Sequence, residues 1–103
     1  MQALERDLQA ERASALARMS DLFERALAAW LALEAGEVEP LASLEAEGER
    51  RMEIRDLAAE RLWMLLVQRE SVGLREHREL LDRVPKEIRR RIGLRRRRAR
   101  ATD

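Results

Sequence analysis

The stretch Leu62-Trp63-Met64-Leu65-Leu66-Val67 is apolar at every position. Upstream of it Ile54, Leu57 and Ala58 recur at three- and four-residue spacing, and Leu62, Leu65 and Val72 continue the row, so the stretch reads as part of a helix. Composition agrees: the 103 residues hold four Val, three Ile and one Thr, and 3% are aromatic, too little strand-forming material for a β fold. A helix with no polar side over nearly two turns has to be covered from more than one direction. The expected architecture therefore centres on a helix over 44–72, buried on several sides.

The first cover lies N-terminal to it. Leu4, Leu8, Ala15, Leu16, Met19, Leu22, Phe23, Ala26, Leu27, Trp30 and Leu33 fall within a sector of about 140° when each residue advances about 100°, which predicts one long amphipathic helix over 2–35. Arg6, Asp7, Ser14, Arg18, Asp21, Glu24 and Arg25 occupy the other side, with Asp21 and Arg25 at the favourable four-residue spacing. Gly36 suits a helix end and Pro40 a connector, so the two long helices read as an antiparallel hairpin, with Ser43 a candidate cap for the second.

Beyond Gly73 the apolar spacing continues more weakly. Leu74, His77, Leu81 and Val84 predict a short helix over 74–84, and Pro85 opens another over 85–92 that carries Ile88 and Ile92 and ends at Gly93. The expected whole is an all-α domain, 1–93, in which the hairpin carries the two short helices at one end. An Arg-rich tail, 94–103, has nothing apolar to bury and repels itself, and is expected to be disordered. A hairpin of this length is thin, so two copies are expected to pair into a four-helix-type bundle, a homodimer with Trp63, Leu66 and Val67 on or beside the shared surface.

The inventory excludes most chemistry. With no Cys and one His there is no disulfide, thiol nucleophile or thiolate metal site, and no Gly-rich phosphate loop or nucleophile paired with a base is visible. No cofactor, no metal and no catalytic activity are expected. The longest apolar run, Ala26 to Leu33, is far short of the ~18 residues that would mark a membrane span, and the N-terminus lacks a signal-peptide layout. These features predict a cytoplasmic protein with no membrane partner.

The formal net charge of +1 hides a division. Residues 1–84 carry 12 Arg against 18 acids, whereas 85–103 carry nine basic residues against Glu87 and Asp103. Such an asymmetry brings nucleic acid into view as a partner, with Arg89, Arg90, Arg91, Arg95, Arg96, Arg97, Arg98 and Arg100 as the candidate phosphate contacts. Against it, the run has no aromatic companion, and Arg89 to Arg91 point to three sides of their helix. Nucleic-acid binding is therefore the alternative to a scaffold or interaction module, which is the preferred reading.

Gln68, Arg69, Glu70, Arg75 and His77 follow directly on the apolar stretch. They suit either a pocket for an anionic small molecule, with the two arginines as donors, or a network that closes the helix end. The structural role is preferred, because polar clusters at helix ends are more often architecture. A carboxylate-bridged metal site would want Glu three residues before His77, and that position is Leu74. Trp30 and Trp63 sit in the richest apolar runs and read as packing residues.

The segment from Trp63 through Val67-Gln68-Arg69-Glu70 to Gly73-Leu74-Arg75-Glu76-His77, together with Val84-Pro85-Lys86-Glu87 and Ile92-Gly93, resembles a small protein family of alphaproteobacteria that has no assigned activity. Ala3-Leu4-Glu5 and Glu11-Arg12-Ala13 are similar to that family's opening helix. The resemblance covers about two-thirds of the chain and leaves out the tail and the Glu-rich connector. It implies an all-helical bacterial protein and brings no catalytic residue with it.

Overall fold

The computed structural model describes residues 2–93. Of these, 80% are helical, and there is no strand among the described residues. Helix α1 spans Gln2–Glu34, α2 Leu44–Ser71 and α3 Arg78–Asp82; residues 86–93 form α4. The chain is elongated: its radius of gyration is 16.5 Å, against about 13 Å for a compact chain of about 100 residues.

Local chemistry sets each boundary. At the end of α1, Gly36 takes a φ of 69°, and the Glu37 and Gly36 amides donate back to the carbonyls of Ala32 and Leu33. Ser43 caps α2: its side chain accepts from the Ala46 amide at 3.0 Å. Glu47 reaches back to the Leu41 amide, and Arg50 joins Glu47 at 2.7 Å and the Glu39 carbonyl at 2.9 Å, so the connector is fastened to the first turns of α2. The same stop recurs at the end of α2, where Gly73 has a φ of 90° and the Leu74 and Gly73 amides donate to the carbonyls of Arg69 and Glu70.

That stop corrects one expectation. Residues 74–77 are not helical, and α3 is a five-residue helix that begins after His77, rather than a helix over 74–84. Leu74 faces solvent, and the buried stripe is Leu80, Val84, Ile88 and Ile92, each four residues from the last. The Pro85 carbonyl accepts from the Ile88 and Arg89 amides, so the ring fixes the backbone at the entry to α4 without costing a helical hydrogen bond.

α1 and α2 lie antiparallel along each other. Gln68 donates to the Arg12 carbonyl at 3.4 Å, Arg61 to the Leu22 carbonyl at 3.0 Å, and Arg51 pairs with Glu34, so position falls on α2 as it rises on α1. α3 and α4 run back along this pair rather than packing at one end of it. His77 bonds Arg69 and Glu70 near the end of α2, Arg83 pairs with Glu24, and Arg91 reaches Asp56 at 3.1 Å. The core where the three layers meet is built on Phe23, Trp30, Leu62, Leu66 and Ile88, all fully buried. Burying a side chain of this size stabilises a fold by about 1.5–3 kcal/mol. The early part of α1 takes no share in it: residues 2–14 are all exposed.

Candidate functional site

Two regions remain once the core is accounted for: the polar cluster where α2 turns into α3, and the surface the short helices leave open.

The turn after Gly73 brings His77 back over the last turn of α2. There Arg69 Nε donates to His77 Nδ1 at 3.1 Å, and His77 Nε2 lies 3.2 Å from Glu70 Oε1. Because Nδ1 accepts from a guanidinium, the ring proton belongs on Nε2, where it is donated to Glu70. Arg69 also holds the Glu76 carbonyl at 3.0 Å. Both ring nitrogens are thereby engaged, and the imidazole is only 8% exposed. What this arrangement does chemically is fasten the strand of chain between α2 and α3. It leaves no lone pair on the imidazole for proton abstraction or for a metal. Among the described residues no group of three or more His, Cys, Asp or Glu is placed to hold a metal ion.

The other members of the expected cluster separate. Gln68 turns to α1 through the Arg12 carbonyl, and Arg75 is exposed, outside the Arg69–His77–Glu70 chain. The sequence therefore located the cluster but not its division between fastening α3 and spanning to α1.

The residues expected on a shared surface also separate. Leu66 is 1% exposed within a single chain and belongs to the core that Ile88 and Phe23 complete, so it has no surface to offer a partner. Trp63 is half-buried against the same core. Val67 is 50% exposed, and with it stand Met64 at 42% and Leu57 at 41%. On α1, Leu4 and Leu8 are exposed as well. The seven-residue step from Leu57 to Met64 was the signal in the sequence that these two share a side of α2.

Of the candidate phosphate contacts, Arg89, Arg90 and Arg91 are exposed on α4, and Arg95, Arg96, Arg97, Arg98 and Arg100 lie outside the described residues. Arg90 and Arg91 share a shallow cleft of about 510 Å³ with Arg51, Arg55, Glu87 and Met52, floored by Trp30. Most of these cations are already matched. Arg51 lies 4.6 Å from the centre of the Trp30 ring and pairs with Glu34, while Arg55 and Arg91 share Asp56. Elsewhere, Glu24 raises the pKa of Arg83 above the ordinary value, first through their hydrogen bond and then through its charge. The Leu41 amide, with Arg50, holds the Glu47 carboxyl below the usual carboxylate range.

None of the described helices is long and apolar enough to cross a membrane. Compared with protein-family models, curated proteins and solved structures, the chain matches none.

Proposed function

We propose that the chain is a non-catalytic, self-associating helical module, a scaffold or protein-protein interaction unit of the bacterial cytoplasm. The observation that carries this reading is the exposed apolar set Leu57, Met64 and Val67, which stands on one flank of α2. Three large apolar side chains within eleven positions of one helix are what an interface between helical pairs requires, and burying them in a second hairpin completes a four-helix bundle. The only buried titratable side chain among the described residues, His77, has both ring nitrogens engaged, which supports a role without catalysis. Light scattering at micromolar concentration is the test: the expected mass is twice 12.0 kDa, and a monodisperse monomer refutes the reading. Reproducible turnover in a hydrolase or phosphatase screen, abolished by His77→Ala, refutes its non-catalytic part.

A second reading draws on the cleft in which Arg90 and Arg91 stand beside Arg51 and Arg55, a few residues before the Arg95–Arg100 run. In it the C-terminal region neutralises phosphates of a nucleic acid without reading bases. Binding to duplex DNA then weakens by about 0.9 of a log unit per contact for each tenfold rise in salt. Retention on a heparin or DNA column at physiological ionic strength, lost on removal of residues 94–103, favours this reading over the first. The first is preferred because Arg51, Arg55 and Arg91 already have acidic partners.

A further inference from the structure

α3 and α4 cover only one side of the α1–α2 pair. Glu24 marks that side on α1, because it meets Arg83. At about 100° per residue Leu4, Leu8 and Leu22 each fall roughly 160° from Glu24 around the helix. On α2 the covered side is marked by Arg55, which lines the cleft with Arg90 and Arg91. Leu57 and Met64 fall roughly 160° and 180° from it, with Val67 at the edge of the same flank. Both long helices thus expose apolar side chains on the side opposite α3 and α4. An open crevice of about 670 Å³ lies along the early part of α1, lined by Leu8, Glu11, Arg12, Ala15 and Arg18 among others and, from α2, by Gln68.

We propose that the occupant of this face is a second copy of the chain, related by a two-fold axis that runs along the helices, so that α1 of each copy lies antiparallel over α2 of the other. The proposal rests on the self-association reading and adds its surface and geometry. Charge chooses the occupant. Arg18 and Arg25 border the face on α1, and Glu53 and Glu60 lie on it on α2, each pair seven residues and about 10.5 Å apart. All four are exposed, and Arg25 also pairs with Asp21 one turn back on α1 at 3.0 Å. With the axis along the helices each α1 keeps, against the partner's α2, the level it holds against its own. Glu60 then falls between the partner's Arg18 and Arg25, while Glu53 lies about 10 Å beyond Arg25, level with Ala32. An axis across the helices stacks α1 on α1 and α2 on α2, which sets Arg18 beside Arg25 and Glu60 against its own copy. One face carrying both halves of a complementary pattern is what a two-fold contact needs.

The area is sufficient. The paired length runs from Arg12 opposite Gln68 to Glu34 opposite Arg51. At 1.5 Å per residue that is about 33 Å, and two helices are about 20 Å wide, giving roughly 700 Å² per copy. Stable interfaces bury about 600–1,000 Å² per partner. The same axis brings the two overhanging ends of α1 out at one end of the bundle, where Leu4 and Leu8 of the two copies become neighbours.

The test uses the full chain and three measurements. Met64→Glu, at a position already 42% exposed, is expected to convert the dimer to monomer at micromolar concentration with helical content unchanged. Arg18→Glu with Arg25→Glu is expected to weaken association at least tenfold at low salt, and adding Glu53→Arg with Glu60→Arg to restore it. Because the chain has no Cys, Gln2→Cys takes a single spin label per copy. The two labels are expected roughly 20–30 Å apart, whereas an axis across the helices separates them by about 60 Å. A wild-type monomer overturns both this proposal and the self-association reading. A dimer indifferent to Met64→Glu overturns the proposed face alone, and a dimer lost with Met64→Glu but showing no charge rescue, or a label distance near 60 Å, overturns the α1-over-α2 geometry.

Discussion

Phe23 belongs to the core that α1 and α2 share with the C-terminal helices, with none of its surface exposed. Replacing it with Ala leaves a cavity where three layers join, and the expected loss is about 3–5 kcal/mol, read as a lower denaturant midpoint. Glu47 bears on pH. Its carboxyl is held below the ordinary range by the Leu41 amide and then by Arg50, so the stability it contributes is complete above the unfolded carboxylate's pKa. That contribution fades as pH falls through the lowered folded value. Thermal melts of the wild type and Glu47→Gln should therefore differ at neutral pH and converge in acid; a difference constant down to pH ~2 contradicts the assignment. Phe23 was legible in the sequence as one of a row of apolar positions. The Arg69–His77–Glu70 chain was only half legible: its members are neighbours in sequence, but which of them turn inward depends on the path of the chain after Gly73.

The elements were legible wherever a boundary is written in local chemistry. Gly36, Ser43 and Pro85 each act within four residues of themselves, through a carbonyl or amide that the spacing already points to. The start of α3 was not, because Leu74 and His77 keep a helical spacing while the backbone between them is spent on closing α2. Gly73 is the residue that decides this. Its φ of 90° lies where a side chain is strained, although open space surrounds it. Gly73→Ala should therefore destabilise the fold by about 1–2 kcal/mol through backbone strain alone. A melting temperature equal to that of the wild type would show that the turn re-forms in another conformation.

At the scale of the whole molecule, circular dichroism should report well over half of the residues as helical, consistent with 80% of the described residues; a spectrum with less than half contradicts the fold. The all-helical class followed from composition and periodicity, both of which are properties of short windows. The return of α3 and α4 along the long helices did not, since it joins Arg83 to Glu24, 59 residues apart, and brings Ile88 into one core with Phe23. The apolar stretch Leu62–Val67 announced cover from several directions, and one of those directions proved to be the chain's own C-terminal helices.

The overhang of α1 also fixes a timescale. Residues 2–14 have helical hydrogen bonds but no buried side chain above them, so their amides are guarded only by the local helix–coil balance, and short isolated helices are marginal in water. Around Phe23 to Trp30 an amide can meet deuterium only when the core itself opens. One continuous helix of 33 residues therefore holds two clocks, a fast one at its start and a slow one from its middle onward. Anything that seats the first turns would bring the fast clock toward the slow one without altering a single backbone hydrogen bond.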